Sequence, residues 1–260
     1  MTITYPRSLP SFLTSGEVDL RLNKGTTGAL MRGGGVQTVQ HAQPFWDLAW
    51  NTPPLTKAQK AELTAWWESL RGGLKTFLAY DPSTGYPVAY ASEAAVLALT
   101  RYGGGSFDGS FALTTVSANE LRAANSALSN AQMLLLMERG MGIDLTDDSY
   151  VVATTVPVSA RPPAGLQLTA GDMISVSQAG RYSLHRVVET VAADASGNFG
   201  ASNPIAIEPA ITTTLFTGGT AVANVVKPLA EFVPDESRFE AVQTLTASPA
   251  VIAGFSKVIY

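Results

Sequence analysis

Along the first ninety or so residues, apolar and polar positions alternate in short runs, interrupted once by a run of helical period. From Glu17 to Asn23, Val18, Leu20 and Leu22 alternate with Asp19, Arg21 and Asn23, which predicts a half-buried strand. Gly33-Gly34-Gly35 breaks the chain, and Val36 to Gln40 alternates again. Phe45 to Trp50 sets Phe45, Asp47 and Ala49 on one face and the bulky Trp46, Leu48 and Trp50 on the other. Pro53-Pro54 ends that strand. Thr56 and Gln59 then have capping-box spacing, and Leu63, Trp66, Trp67 and Leu70 recur at helical period. A helix is therefore expected as far as Gly72-Gly73, with Trp66 and Trp67 differing in burial. A strand from Leu74 to Tyr80, a turn at 81–85 and a returning strand from Tyr86 to Ala91 read as a hairpin.

From Glu93 the aromatics thin out and Ala, Ser, Thr and Gly rise. Ser117 with Glu120, followed by Leu121, Ala124 and Leu128, predicts a short helix near 117–130. Short strand candidates follow at 132–138, 150–158, 172–177, 182–191, 204–208 and 220–226, separated by turn signals such as Pro162-Pro163 and Ala195-Ser196-Gly197-Asn198. After Lys227-Pro228 the longer aromatic pattern returns, with strands expected at 238–246 and 251–260. Two ends that match each other around a different middle predict a mainly β, β-rich α+β chain. Its first domain is discontinuous (1–92 and 227–260), a sheet plus one helix. The second (93–226) is inserted, a small β-barrel or β-sandwich.

Composition narrows the function classes. The 260 residues are 46% apolar and only 15% charged, which suits a protein that buries surface in an assembly as well as a plain β domain. Net charge is −4 and no basic run occurs, so specific nucleic-acid binding is not expected. Cysteine is absent, which removes disulfides, thiolate metal sites and cysteine nucleophiles. The N-terminus shows no signal-peptide pattern, and no apolar run approaches the ~20 residues of a membrane span, so synthesis in the cytoplasm is expected.

Catalytic material is sparse. His41 and His185 lie far apart in sequence, and no Gly-x-Ser-x-Gly elbow or His-Glu-x-x-His pair occurs. The cluster Asp144-Leu145-Thr146-Asp147-Asp148 lacks the glycine and distal glutamate of a helix–loop–helix calcium site and reads as an acidic turn. Gly33-Gly34-Gly35 and Gly103-Gly104-Gly105 are not followed by Lys-Ser/Thr and are not phosphate loops. No catalytic, cofactor or metal residue is nominated, and the chain is read as no enzyme. Trp46, Trp50, Trp66 and Trp67 could form a sugar-stacking platform, but their strand and helix spacing favours a core where the helix packs on the sheet. With Phe77 and Tyr80 they are the candidate structural and interface residues.

Two sets of motifs carry a resemblance. The first is Gln43-Pro44-Phe45-Trp46-Asp47-Leu48-Ala49-Trp50, the Trp-rich helix ending Arg71-Gly72-Gly73, and Thr76-Phe77-Leu78-Ala79-Tyr80-Asp81-Pro82. The second is Leu168-Thr169-Ala170-Gly171-Asp172, Leu184-His185-Arg186-Val187-Val188-Glu189, Ala193-Asp194-Ala195-Ser196-Gly197 and Glu208-Pro209. Over about two thirds of its length the chain resembles tail proteins of long-tailed bacteriophages, and the distal tail proteins most. The resemblance implies a virion structural protein made in the host cytoplasm. It would form a homohexameric ring at the tail tip, with a belt domain around a channel and an oligonucleotide-binding-like barrel or galectin-like domain outside. Its partners would be the tail tube, hub and tape-measure proteins. Six copies at −4 each would carry −24, and an acidic lumen would let DNA slide past. A glycan-binding tail module and a tail-associated hydrolase are the alternatives.

Overall fold

The computed structural model describes residues 4–13, 16–30, 36–40, 44–116, 150–152, 160–199, 203–209, 221–240 and 250–256, with only the backbone described at 29–30, 36–40, 113–116 and 150–152. The chain divides into two compact units, Met1–Ser83 with Leu229–Ile259, and Thr84–Pro228. The sequence boundaries at 92/93 and 226/227 lie within nine and two residues of these.

In chain order the first stretch carries β1 (Arg7–Ser8), β2 (Glu17–Asn23), β3 (Thr26–Leu30), β4 (Val36–Gln40), β5 (Phe45–Asn51), α1 (Lys57–Glu68) and β6 (Phe77–Ala79). The middle stretch carries α2 (Glu93–Leu97), β7 (Ser110–Val116), β8 (Tyr150–Val152), β9 (Gln167–Leu168), β10 (Met173–Gln178), β11 (Arg181–Val187), β12 (Val191–Ala192), β13 (Ile205–Glu208) and β14 (Ala221–Asn224). The chain closes with β15 (Ala230–Pro234) and β16 (Val251–Ser256).

The discontinuous unit is built on a six-stranded sheet in the order β1-β6-β15-β16-β5-β2, with β3 and β4 forming a separate hairpin. The two ends of the chain interleave in it: β16 lies between β15 and β5, and β15 is bonded to β6. Trp46, Leu48 and Trp50 on β5 are buried, as the alternation predicts. Their register partners on β2 are Leu22, Leu20 and Val18. Helix α1 begins with the capping box read from sequence. The Thr56 hydroxyl accepts from the Gln59 N–H, and the Gln59 side chain accepts from the Thr56 N–H at 2.9 Å. The helix buries Lys60, Leu63, Trp66 and Trp67, with Leu70 just beyond its end.

The inserted unit holds a closed barrel of six antiparallel strands in the cyclic order β10-β11-β13-β8-β7-β14. Its register puts Phe111, Ile174, Val176, His185, Val187, Ile205, Ile207, Ala221 and Ala223 on one side of the sheet, and all are buried. Closure leaves no open edge in the barrel, so its backbone groups are bonded around the whole circuit.

Three expectations are corrected. Tyr86 to Ala91 does not pair with β6, whose neighbours are β1 and β15. Pro87 has no N–H to give to a ladder, the Val88 N–H is taken by the Asp172 carboxylate, and the Tyr90 N–H closes a turn on the Pro87 carbonyl. The strand expected from Arg238 begins instead as a 3-10 turn, Glu236–Arg238, because the Asp235 carboxylate caps the Ser237 N–H. The rest of that strand, 241–246, lies outside the described residues. So do the helix near 117–130, the strand at 132–138 and the last four residues. Trp66 and Trp67 do not differ in burial, being 4% and 5% exposed. Neighbouring helical residues point about 100° apart, and each finds its own partner: Trp66 the β1–β6 edge, and Trp67 the Phe239 ring.

Candidate functional site

The aromatic candidates fall into three places. Trp66, Trp67 and Phe77 form one cluster between α1 and the sheet. The Trp66 indole N–H donates to the Ser8 carbonyl at 2.9 Å, and its ring meets Phe77 edge-on at 5.5 Å. Trp67 stacks on Phe239 at 4.4 Å and 7°. Phe77 continues onto Phe232 at 5.7 Å, which carries the aromatic chain into β15. Trp46 and Trp50 lie farther along on β5 and are 2% and 1% exposed. Buried indoles have no free face to stack on a sugar, and they are core rather than direct contact groups in the folded chain. Tyr80 stands apart and is half-buried. It lines an open depression of 210 Å³ with Leu9, Pro10, Leu13, Leu78 and Leu229.

Parts of the second motif set, spread over some forty residues, are joined by hydrogen bonds and strand pairing within the inserted unit. The Gly171 N–H donates to the Val187 carbonyl, and the Val187 N–H to the Asp172 carbonyl, both at 2.8 Å. The Asp172 carboxylate is buried and accepts the Thr169 N–H at 2.7 Å and the Val88 N–H at 2.9 Å, so it closes its own loop and ties down the segment before α2. Arg186 and Glu208 stand opposite each other across β11 and β13. Asp194 accepts the N–H groups of Ser196 and Asn198, closing the loop that ends in Gly197. Gly197 is required there: its φ is +66°, and a Cβ would sit 2.6 Å from the Tyr102 Cβ and 2.5 Å from the Pro162 carbonyl oxygen.

His185 is fully buried in this barrel. Its Nδ1 lies 2.7 Å from the Pro209 carbonyl, which can only accept, so Nδ1 carries the proton and Nε2 is the bare nitrogen. Nε2 has no hydrogen-bond partner among the described residues. Burial pushes the imidazole down to about 4, against the pull of the Pro209 carbonyl in the other direction. A neutral histidine tied to backbone inside a core is a packing element. No carboxylate is hydrogen-bonded to it among the described residues, so it lacks the orienting partner of a triad base. His41 and the 144–148 acidic cluster lie outside the described residues. Among the described residues, no group of three or more His, Asp and Glu side chains is placed to hold a metal ion, and no helix is long and apolar enough to cross a membrane.

One cluster had no signal in the sequence. Arg238 forks between Asp47 on β5 and Asp235, with Nε donating to Asp235 at 2.7 Å, and its guanidinium lies 5.2 Å from the Phe255 ring centroid. Hydrogen bonding to Asp47 is the largest cause raising the arginine above its usual value. The Ser237 hydroxyl is the first cause holding Asp235 below the usual carboxylate range. Phe255 packs edge-on against Phe45 at 5.6 Å. This pins Arg238 to the sheet face opposite the tryptophans of β5, while the next residue, Phe239, reaches Trp67. The chain matches no protein-family model, and no curated protein is significantly similar to it.

Proposed function

We propose that this chain is a non-enzymatic virion protein of a bacteriophage tail tip, a ring-forming subunit that joins the tail tube to the hub and leaves a channel for DNA. The observation that carries the reading is the architecture: a sheet-and-helix unit assembled from both ends of the chain, interrupted by a closed six-stranded barrel. That is the division which the tail-protein motifs imply. The burial of all four tryptophans adds support, because the glycan-platform alternative loses its most aromatic candidate surface. The low share of charged residues suits a subunit that covers much of its surface with copies of itself and with tube, hub and tape-measure proteins.

The test is assembly. Purified protein is expected to run as a homohexamer by light scattering and to give rings with a central hole in negative stain. A species that stays monomeric at every concentration and under tail-assembly conditions would overturn the reading. Binding of that monomer to a glycan array would put the carbohydrate module in its place.

A further inference from the structure

We propose that the unassembled chain pairs with a second copy of itself along β2, two-fold and antiparallel, so that two six-stranded sheets become one continuous sheet. Strand β2 is an outer strand of its sheet, and among the described residues only β5 pairs with it. At seven residues it is long for an edge, and its sequence, Glu-Val-Asp-Leu-Arg-Leu-Asn, contains no proline, glycine or lysine to block a further strand. Its polar side chains are exposed and its apolar ones half-buried in strict alternation. Val18, Leu20 and Leu22 sit at the rim of the face that carries Trp50, Leu48 and Trp46, so their remaining exposed surface lies where one more strand would cover it.

Charge selects the partner and the register. An antiparallel two-fold pairing centred on Leu20 sets Asp19 opposite Arg21 of the second copy, and Arg21 opposite its Asp19. It sets Glu17 against Asn23, Val18 against Leu22 and Leu20 against itself, so all seven residues find partners of matching character. Moving the centre to Asp19 or Arg21 brings like charges face to face. Parallel in-register pairing does the same at Glu17, Asp19 and Arg21. A one-residue slip sets the charged face of one copy against the apolar face of the other. In the single chain Arg21 instead folds back on Asp19, with contacts of 2.6 and 2.8 Å, and the two side chains remain 78% and 47% exposed. Both are therefore free to exchange that local contact for the cross-strand one. The other outer strand, β1, has only two residues and offers no comparable surface. A two-fold contact closes on itself and does not by itself build a ring. The pairing thus goes beyond the ring reading: it protects an open edge before assembly.

Charge reversal with rescue tests this. In sedimentation velocity over a dilution series, at concentrations below those at which hexamers form, the wild-type chain is expected to show a monomer–dimer equilibrium. D19R and R21D each make two like-charge pairs per dimer and should raise the dimer Kd by about tenfold or more. The double variant D19R/R21D restores both opposite-charge pairs and should return the Kd to near wild type. Both substitutions are at solvent-facing positions, so the circular dichroism and melting temperature of all three variants should match wild type. Amide exchange at 17–23 should slow with rising protein concentration in the wild type alone among it and the two single variants. A wild type that is monomeric throughout, or a double variant as weak as the singles, overturns the pairing. Rings that form equally in all four proteins, with no dimer in any, overturn it and leave the ring reading standing. Dimers with rescue but no rings do the reverse.

Discussion

At the scale of single residues, short polar side chains set where the backbone turns. Asp81, Asp108, Asp194 and Asp235 each accept the N–H of the serine two positions on. Every such Asp-x-Ser is local, and those of Asp81 and Asp194 fall at turns that the sequence pattern marks. For Asp108, burial pulls the carboxyl up, but the Ser110 hydrogen bonds and the Arg101 charge outweigh it and hold it below its usual value. His185 belongs to the same scale but not to the same class. Nothing near it in sequence tells that it is sealed in a core. Its folded pKa of about 4 lies below the ordinary 6.5, so the unfolded chain takes up the proton first as pH falls. Its contribution is intact above 6.5 and is lost between 6.5 and 4, amounting to about 3 kcal/mol at the lower end. His185→Asn keeps an N–H donor for the Pro209 carbonyl without the titration. Urea unfolding measured from pH 7 to 4 should show that loss in the wild type and a flatter profile in the variant.

At the scale of elements, the helix was legible and the hairpin after it was not. Helix α1 is specified by contiguous signals: Pro53-Pro54 before it, the Thr56–Gln59 box, and the stripe of Leu63, Trp66 and Trp67. Its start rests on local hydrogen bonds, so Thr56→Ala should lower thermal stability by about 1 kcal/mol, whereas Thr56→Ser should change little. Calorimetry of the two variants checks this. Strand β5 was equally legible because a half-buried strand has period two. The pairing of β6 was not. Alternation marks a strand but does not choose its neighbour, and the choice here went to β1 and β15, with the β15 partners about 150 positions away. The Trp66–Trp67 expectation failed for a related reason. A helical wheel divides faces, but Phe239, more than 170 positions later, supplies a second wall that covers Trp67.

At the scale of the whole molecule, the inserted unit begins and ends at one point. The Lys227 N–H donates to the Gly85 carbonyl at 2.7 Å, and the Lys227 ammonium reaches Glu93 at 2.9 Å. Its first and last strands of chain are therefore tied together inside the unit itself, and its barrel has no edge left to pair. A fragment spanning 84–228 should fold alone, giving a cooperative melt and a β-type circular dichroism spectrum. A fragment that remains unfolded would show that the closed barrel depends on the rest of the chain.

What the sequence alone determined is whatever depends on near neighbours: the period of β2 and β5, the cap and stripe of α1, the turns at 81–85 and 195–198, and the change of character that brackets an insertion. These follow from backbone geometry and side-chain spacing within a few residues. Only the tertiary structure decided which strands adjoin, that the barrel closes, that His185 is neutral and buried, and that Arg238 finds Asp47. Those outcomes depend on contacts between residues far apart in the chain, where packing and desolvation act and local pattern carries no information.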